Sequence, residues 1–245
     1  MIPLIPDKLA FASGSAHEIH ALKTYYQHAN VIFITSDLHR KYVPFALDFG
    51  PVNLGIVHRF CVAMNKRLER LKSSLIVYCF EPCSAHRANA CFLLAAYMML
   101  EQGWAAEKAS AAFRCSKLPF PLKPFRDMTY MEAEFGLTLE DCLAGLGRAS
   151  QLGWYRRQTF DLASYEALDS PFSGDMHEIC PKFVAFKGPL SDGSAYLQEG
   201  EVALPPSAYV PVFVKLGVTC VVRLNESDTY DRYMWLHTTC ASSLA

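Results

Sequence analysis

Two residues with reactive side chains, Cys142 and Arg148, are separated by five residues in the stretch LEDCLAGLGRAS. This is the spacing of the loop with which cysteine-dependent phosphatases bind and attack a phosphate. Such a loop needs a thiolate nucleophile, an arginine and backbone N–H groups that converge on the phosphate. It lies between a buried strand and a helix N-terminus, because the helix end lowers the thiol pKa and attracts the dianion. The number of residues between cysteine and arginine, and the secondary structure predicted on either side of them, are therefore two separate tests.

The surroundings of Cys142 predict a helix of the core rather than a loop. Thr138, followed three residues later by Asp141, has the pattern of a capping box. Four acids in the preceding stretch EAEFGLTLED would raise the thiol pKa. The apolar side chains fall largely on one helical face and are Leu139, Cys142, Leu143, Leu146 and Leu152. An active phosphatase that uses Cys142 and Arg148 is kept as the alternative interpretation.

A second segment, 74–101, has suitable surroundings but unsuitable spacing. SLIVYCF predicts a strand, EPCSAHR a loop and ANACFLLAAYMML a helix. Cys79 lies eight residues before Arg87 and Cys83 only four, and the loop has no glycine to let backbone amides converge. We interpret this segment as a phosphatase-loop position that has lost its chemistry. Zinc binding by Cys79, Cys83 and His86 would lack a second ligand pair, so no metal and no cofactor are expected.

Short β-branched or aromatic runs alternate with helical patterns, which predicts an α/β fold with a central sheet flanked by helices. Strands are predicted over 8–13, 31–36 and 74–80, and helices over 52–71, 87–101 and 105–114. The proline-rich stretch KLPFPLKPFRD predicts an extended loop, and the polar stretch 169–175 a break between domains. Beyond it, strands are predicted over 182–189 and 218–225, with a helix over 204–217 between them.

The composition indicates a soluble intracellular protein. The 245 residues include 23 basic and 24 acidic side chains, which argues against a nucleic-acid or membrane-surface binder. Nine cysteines without paired spacing, and an N-terminus that does not have the pattern of a signal peptide, favour the cytoplasm or nucleus. The longest apolar run is too short for a bilayer, which needs about 20 apolar residues.

Several linked motifs resemble the mitotic-exit dual-specificity protein phosphatases, a family named after cell-division-cycle gene fourteen. They occur in the family's order and spacing from about residue 8 to 225 and are ALDFGPVNLGIVHRFC, HRANACFLLAAY, PFRD, LTLEDCLAG, YEALDSPFSGD, KFVAFKGP and VTCVVRLN. The family has two phosphatase-like domains in tandem, of which only the second carries the nucleophile. The resemblance implies phosphatase activity toward phosphoserine, phosphothreonine and phosphotyrosine in proteins, and a location that includes the spindle or nucleolus.

The resemblance also implies a domain organisation and a site. Residues 1–157 would form a degenerate substrate-recognition domain, 158–180 a linker, and 181–245 the truncated start of a catalytic domain without its nucleophile loop. The family's groove favours phosphoserine followed by proline, with a basic residue nearby. The matching residues here are Phe125, Arg126, Asp127, Gly174 and Asp175. Phe172 stands where the family more often has an acid.

The leading hypothesis is thus that this chain is the recognition part of a proline-directed protein phosphatase, and that this part is inactive alone. A pseudophosphatase scaffold, which binds phosphoproteins or full-length family members, is a further alternative. Neither hypothesis involves nucleic acid or a membrane.

Overall fold

A four-stranded sheet lies at the centre of the first of two compact units, which comprise Met1–Gln158 and Thr159–Ala245. The computed structural model describes residues 1–44, 47–81, 84–113, 122–190, 204–224 and 229–231. The strands, in spatial order, are β1 (Ile2–Ile5), β2 (Leu9–Ser13), β4 (Leu75–Phe80) and β3 (Val31–Ile34). β1 is antiparallel to β2, whereas β2 and β3 are parallel to β4.

Alternating residues of the central strands pack on opposite faces of this sheet. Leu9 and Phe11 of β2 belong to the main core cluster, and Ala10 and Ala12 to a smaller cluster on the other face. Successive side chains of a strand point to opposite faces, so both faces are buried and the strands are apolar throughout. The prediction of an α/β fold with a central sheet flanked by helices is confirmed.

The described residues of the first unit form five α-helices. They are α1 (Ala16–Tyr25), α2 (Leu54–Arg70), α3 (Ser84–Gln102), α4 (Ala106–Ala111) and α5 (Leu139–Gln151). Side chains of α2 and α3 fill the main core, while Ile19 and Leu22 of α1 pack on the smaller cluster. A ribbon of two short strands, β5 (Phe125–Arg126) and β6 (Gly136–Leu137), precedes α5.

The second unit has its own core around Met176, Tyr209, Phe213 and Tyr230. The elements among its described residues are α6 (Leu162–Leu168), β7 (His177–Cys180), β8 (Phe183–Ala185), α7 (Pro206–Leu216) and a 3-10 turn at Pro171–Ser173. β7 and β8 form an antiparallel pair.

The predicted strands and helices of the first unit are confirmed, although the helix predicted over 105–114 is limited to Ala106–Ala111. Of the predicted extended loop 117–127, residues 117–121 lie outside the described residues and Phe125–Arg126 form β5. The predicted elements of the second unit are confirmed only in part. The helix predicted over 204–217 is present as α7, but the strand predicted over 182–189 is limited to Phe183–Ala185. The strand predicted over 218–225 is wrong for its described part, 218–224, which has no strand partner among the described residues. The range predicted as a linker, 158–180, contains α6 and β7. The roles assigned to the three sequence ranges remain predictions.

Candidate functional site

Cys142 and Arg148 lie within α5, as the apolar periodicity predicted. The Thr138 hydroxyl accepts a hydrogen bond from the amide of Asp141, whose carboxylate accepts one from the amide of Thr138, so the predicted capping box is present. Two residues that are six positions apart in a helix are separated by about 9 Å along its axis. Their side chains point in directions that differ by roughly 120°. The backbone between Cys142 and Arg148 is helical, so its amides do not converge on a phosphate.

The environment of the Cys142 thiol disfavours the thiolate. Burial, assisted by the charge of Asp141, raises its pKa to about 12. The side chain is half-buried and packs against the main core. A nucleophilic cysteine needs the opposite shift, which cationic neighbours or a helix N-terminus supply.

Strand β4 is followed in the chain by helix α3, as the strand and helix that flank a phosphatase loop are. Cys79 is buried near the end of β4, where burial raises its pKa to about 11. Arg87 is buried in the first turn of α3. Cys83 lies outside the described residues. Asn89 of α3 accepts a hydrogen bond from the amide of Val52 at 2.9 Å, which anchors the chain that enters α2.

Arg126 and Asp127 fix a surface loop, residues 127–135, which we call the pinned loop. Asp127 Oδ1 accepts hydrogen bonds from the amide (3.3 Å) and the hydroxyl (2.5 Å) of Thr129. Its Oδ2 accepts from the amides of Glu134 (2.8 Å) and Phe135 (2.7 Å). These bonds lower the pKa of Asp127, and the bond from the Thr129 hydroxyl contributes most. Arg126 donates to the carbonyls of Thr129 and Met131.

Phe125 anchors the base of the pinned loop. Its ring is buried and lies 5.6 Å, centroid to centroid, from that of Phe49. Arg126 also exchanges two backbone hydrogen bonds with Phe49, of 2.8 and 3.1 Å. The three predicted groove residues of the first unit therefore act together to hold the loop.

The pinned loop presents apolar and acidic side chains to solvent. Its exposed apolar residues are Met128 (51% exposed), Tyr130 (72%), Met131 (81%) and Phe135 (63%). Glu132 and Glu134 are exposed beside them. Large apolar side chains grouped on a fixed surface are typical of a protein-binding site.

Gly174 and Asp175, the predicted groove residues of the second unit, form a tight turn after α6. Both have positive φ, 82° and 46°. A Cβ at Gly174 would come within 2.2 Å of the Tyr209 ring. The Tyr209 hydroxyl donates a hydrogen bond to the carbonyl of Lys187. The amide of Lys187 donates to the carbonyl of Gly174. The substrate-binding role of both residues remains a prediction.

No group of three or more His, Cys, Asp and Glu side chains among the described residues is placed to hold a metal ion. None of the described helices has the length and apolar character that crossing a membrane requires.

A cluster that sequence reasoning missed lies where the three parallel strands end. A cavity there is lined by Lys23 of α1, by His39 and Arg40 from the 3-10 turn after β3, and by Glu81 after β4. The order of the predicted strands could have indicated this cavity. The carboxyl ends of parallel strands share one edge of a sheet, and open α/β folds bind ligands at that edge.

Comparisons with known proteins agree with this architecture. The family described as "Dual specificity protein phosphatase, N-terminal half" matches residues 3–149. The chain therefore belongs to the dual-specificity protein phosphatases, and these residues correspond to the N-terminal half of that family. Its curated relatives are phosphatases of the CDC14 type, which is the family that the motifs resembled.

Three relatives illustrate the match. Human dual specificity protein phosphatase CDC14A is 36% identical over 225 residues, which cover 90% of this chain and 36% of the human protein. The Schizosaccharomyces pombe tyrosine-protein phosphatase CDC14 homolog is 35% identical over 238 residues, 95% of this chain and 43% of that protein. For Saccharomyces cerevisiae tyrosine-protein phosphatase CDC14 the identity is 31% over 207 residues, with coverages of 82% and 37%. The chain thus spans less than half the length of these relatives.

Proposed function

We propose that the first unit recognises phosphorylated protein segments for a dual-specificity phosphatase through the pinned loop. The preferred segments carry phosphoserine followed by proline, with a basic residue nearby. The observation that carries this proposal is the loop itself, because the Arg126 and Asp127 side chains are used to fix a surface that exposes apolar and acidic groups.

The exposed side chains of the loop suit a peptide of this composition. The rings of Tyr130 and Phe135 offer flat apolar surfaces on which a proline ring can pack. Glu132 and Glu134 are negative and complement a lysine or arginine of the peptide. Because the backbone of the loop is fixed by hydrogen bonds before binding, little ordering entropy is lost when a partner docks.

The test measures binding of a phosphoserine–proline peptide with a nearby lysine to the 245-residue chain, by fluorescence polarisation. Asp127→Ala removes four of the hydrogen bonds that fix the loop, so we expect affinity to fall at least about fivefold. Tyr130→Ala removes an exposed ring and none of those hydrogen bonds, and it should also weaken binding. Glu69→Ala, at an exposed acid of α2, is the matched control and should bind like the unmodified chain.

Peptides with alanine in place of the proline or of the lysine should bind more weakly. Unchanged affinity in both loop variants, each with an unaltered circular dichroism spectrum, would contradict the proposal. So would an absence of binding at about 1 mM peptide, where even weak specific complexes are populated.

We further propose that the 245-residue chain does not hydrolyse phosphate esters by itself. Support comes from the helical backbone between Cys142 and Arg148 and from the raised pKa of the Cys142 thiol. The purified chain should show no turnover of para-nitrophenyl phosphate above a blank. Turnover that Cys142→Ser abolishes would instead establish the alternative, an active phosphatase based on Cys142 and Arg148.

A further inference from the structure

A cavity of about 380 Å³ opens at the carboxyl ends of β2, β3 and β4, on the face of the sheet that α1 covers. It exists because the strands present small side chains to α1, among them Ala12 and Cys79. α1 itself has only ten residues, and none of them is fully buried. A volume of this size is within the range of small-molecule sites, and its place in the sheet is where α/β folds bind ligands.

The inner wall of the cavity is apolar. Ile19 of α1, Phe33 of β3 and Cys79 of β4 contribute to this wall. The Cys79 thiol is kept protonated by its raised pKa, so it presents a neutral surface. This part of the site fits the flat apolar body of a small molecule.

The remaining lining carries an excess of positive charge. Among the described lining residues, Lys23 and Arg40 are cationic, and Glu81, which forms an ion pair with Arg40, is acidic. The charged side chains of this described lining therefore have an excess of one positive charge. Lys23 lines the same cavity as Cys79, and its charge opposes the rise in the thiol pKa.

His39 adds a polar group to the same lining. It is 2% exposed, and no described residue is a hydrogen-bond partner of its Nε2. Its Nδ1 lies 3.3 Å from the hydroxyl of Tyr78. Burial is the main cause that lowers its pKa to about 4, and the charges of Arg40 and His86 lower it further. The ring is therefore neutral at pH 7. The histidine is therefore a neutral and buried part of the lining.

We propose that this cavity binds a small organic anion with a flat apolar body, such as an aryl phosphonate or aryl carboxylate. The body lies on Ile19, Phe33 and Cys79, and the anionic group lies toward Lys23 and Arg40. The pairing of Arg40 with Glu81 limits the affinity, because the arginine shares its charge with a carboxylate. This site uses none of the residues of the pinned loop, so it stands or falls independently of the proposed function.

The test is an NMR titration of the isotope-labelled 245-residue chain with phenylphosphonate, which phosphatases do not hydrolyse. Amide shifts of α1 and of residues 33–40 should move, with saturation in the millimolar range. Two related probes separate the contributions of charge and apolar surface. Benzyl alcohol lacks the charge and inorganic phosphate lacks the ring, so both should bind at least about fivefold more weakly.

Charge variants give the sharper result. Lys23→Gln removes a cation and should weaken phenylphosphonate binding at least about threefold, whereas Glu81→Gln releases Arg40 and should strengthen it by a similar factor. Lys66→Gln, at an exposed lysine of α2, is the matched control and should leave the dissociation constant unchanged. All three positions are exposed, so the variants should fold.

Four results would overturn the proposal. One is an absence of shifts around the cavity at about 10 mM phenylphosphonate. Another is equal binding of phenylphosphonate and benzyl alcohol, since the positive charge would then have no role. The third is a dissociation constant that neither Lys23→Gln nor Glu81→Gln changes. Equal binding of inorganic phosphate would exclude a role for the apolar wall and overturn the assigned ligand class.

Discussion

Asp127 shows how one short side chain organises a surface. Its two oxygens accept hydrogen bonds from residues two, seven and eight positions further along the chain. Sequence resemblance singled out Asp127 as part of a groove, but spacing could not predict which groups it holds, because these bonds follow no helical or strand period. Exposed acids nearby, Glu132 and Glu134, have the same residue chemistry and make no such set of bonds among the described residues.

Gly174 is the residue whose replacement has the clearest consequence for stability. Gly174→Ala combines a left-handed backbone, at a cost of about 1–2 kcal/mol, with a Cβ that meets the Tyr209 ring. We expect the second unit to lose roughly 3 kcal/mol of unfolding free energy or to rearrange around Tyr209. Urea denaturation followed by aromatic fluorescence measures the loss.

Gly217→Ala provides the control for Gly174→Ala. Gly217 has a similar φ of 69°, and a Cβ there would meet no atom within 4 Å. Gly217→Ala should therefore lower the unfolding free energy only by the cost of the left-handed backbone, about 1 kcal/mol. Equal losses for the two variants would show that the contact with Tyr209 contributes nothing.

At the scale of elements, the central strands β2 and β4 were predictable because their residues are buried on both faces. β2 and β4 are continuous apolar runs, as parallel central strands are. β1 was missed because it is short, lies at the edge of the sheet and contains Pro3, a residue that argues against a strand. β7 was missed because HEIC has neither a long apolar run nor strict alternation.

The wrong strand over 218–225 has a different cause. Its β-branched residues favour extended backbone, but a strand also needs a partner, which sequence composition does not supply. Val218 and Val221 pack on the core of the second unit, while Val222 is 63% and Leu224 94% exposed. Part of this segment is therefore buried without a described ladder.

The capping box of α5 gives a prediction for a whole element. Thr138→Ala removes the hydroxyl that accepts from the Asp141 amide and should destabilise the first unit by about 1 kcal/mol. Thr138→Ser keeps the hydroxyl and should cost much less. Thermal unfolding of the three proteins measures the difference. If alanine and serine at this position gave the same melting temperature, the box would not stabilise α5.

At the scale of the whole molecule, the buried His39 links stability to pH. Its folded-state pKa of about 4 lies below the ordinary value of 6.5, so the unfolded chain binds more protons between these two values. The unfolding free energy is therefore highest above pH 6.5 and falls as the pH decreases toward 4. The decrease from this side chain is up to about 3 kcal/mol.

Replacement of His39 tests this linkage. His39→Gln keeps a group that hydrogen-bonds with Tyr78 but cannot be protonated, so stability should fall less steeply between pH 6.5 and 4. Chemical denaturation at a series of pH values gives the slope for each protein. His28→Gln, at an exposed histidine, should retain the slope of the unmodified chain. A slope that His39→Gln does not alter would refute the role of His39.

The register of the sheet also has a consequence for biosynthesis. β4 is the parallel partner of both β2 and β3, with Leu9 opposite Ile76 and Val31 opposite Leu75, yet it is the last of the three to leave the ribosome. At roughly 5–20 residues per second, β2 waits several seconds for its partner. During that interval the nascent chain exposes the apolar edges of β2 and β3 that later pair with β4.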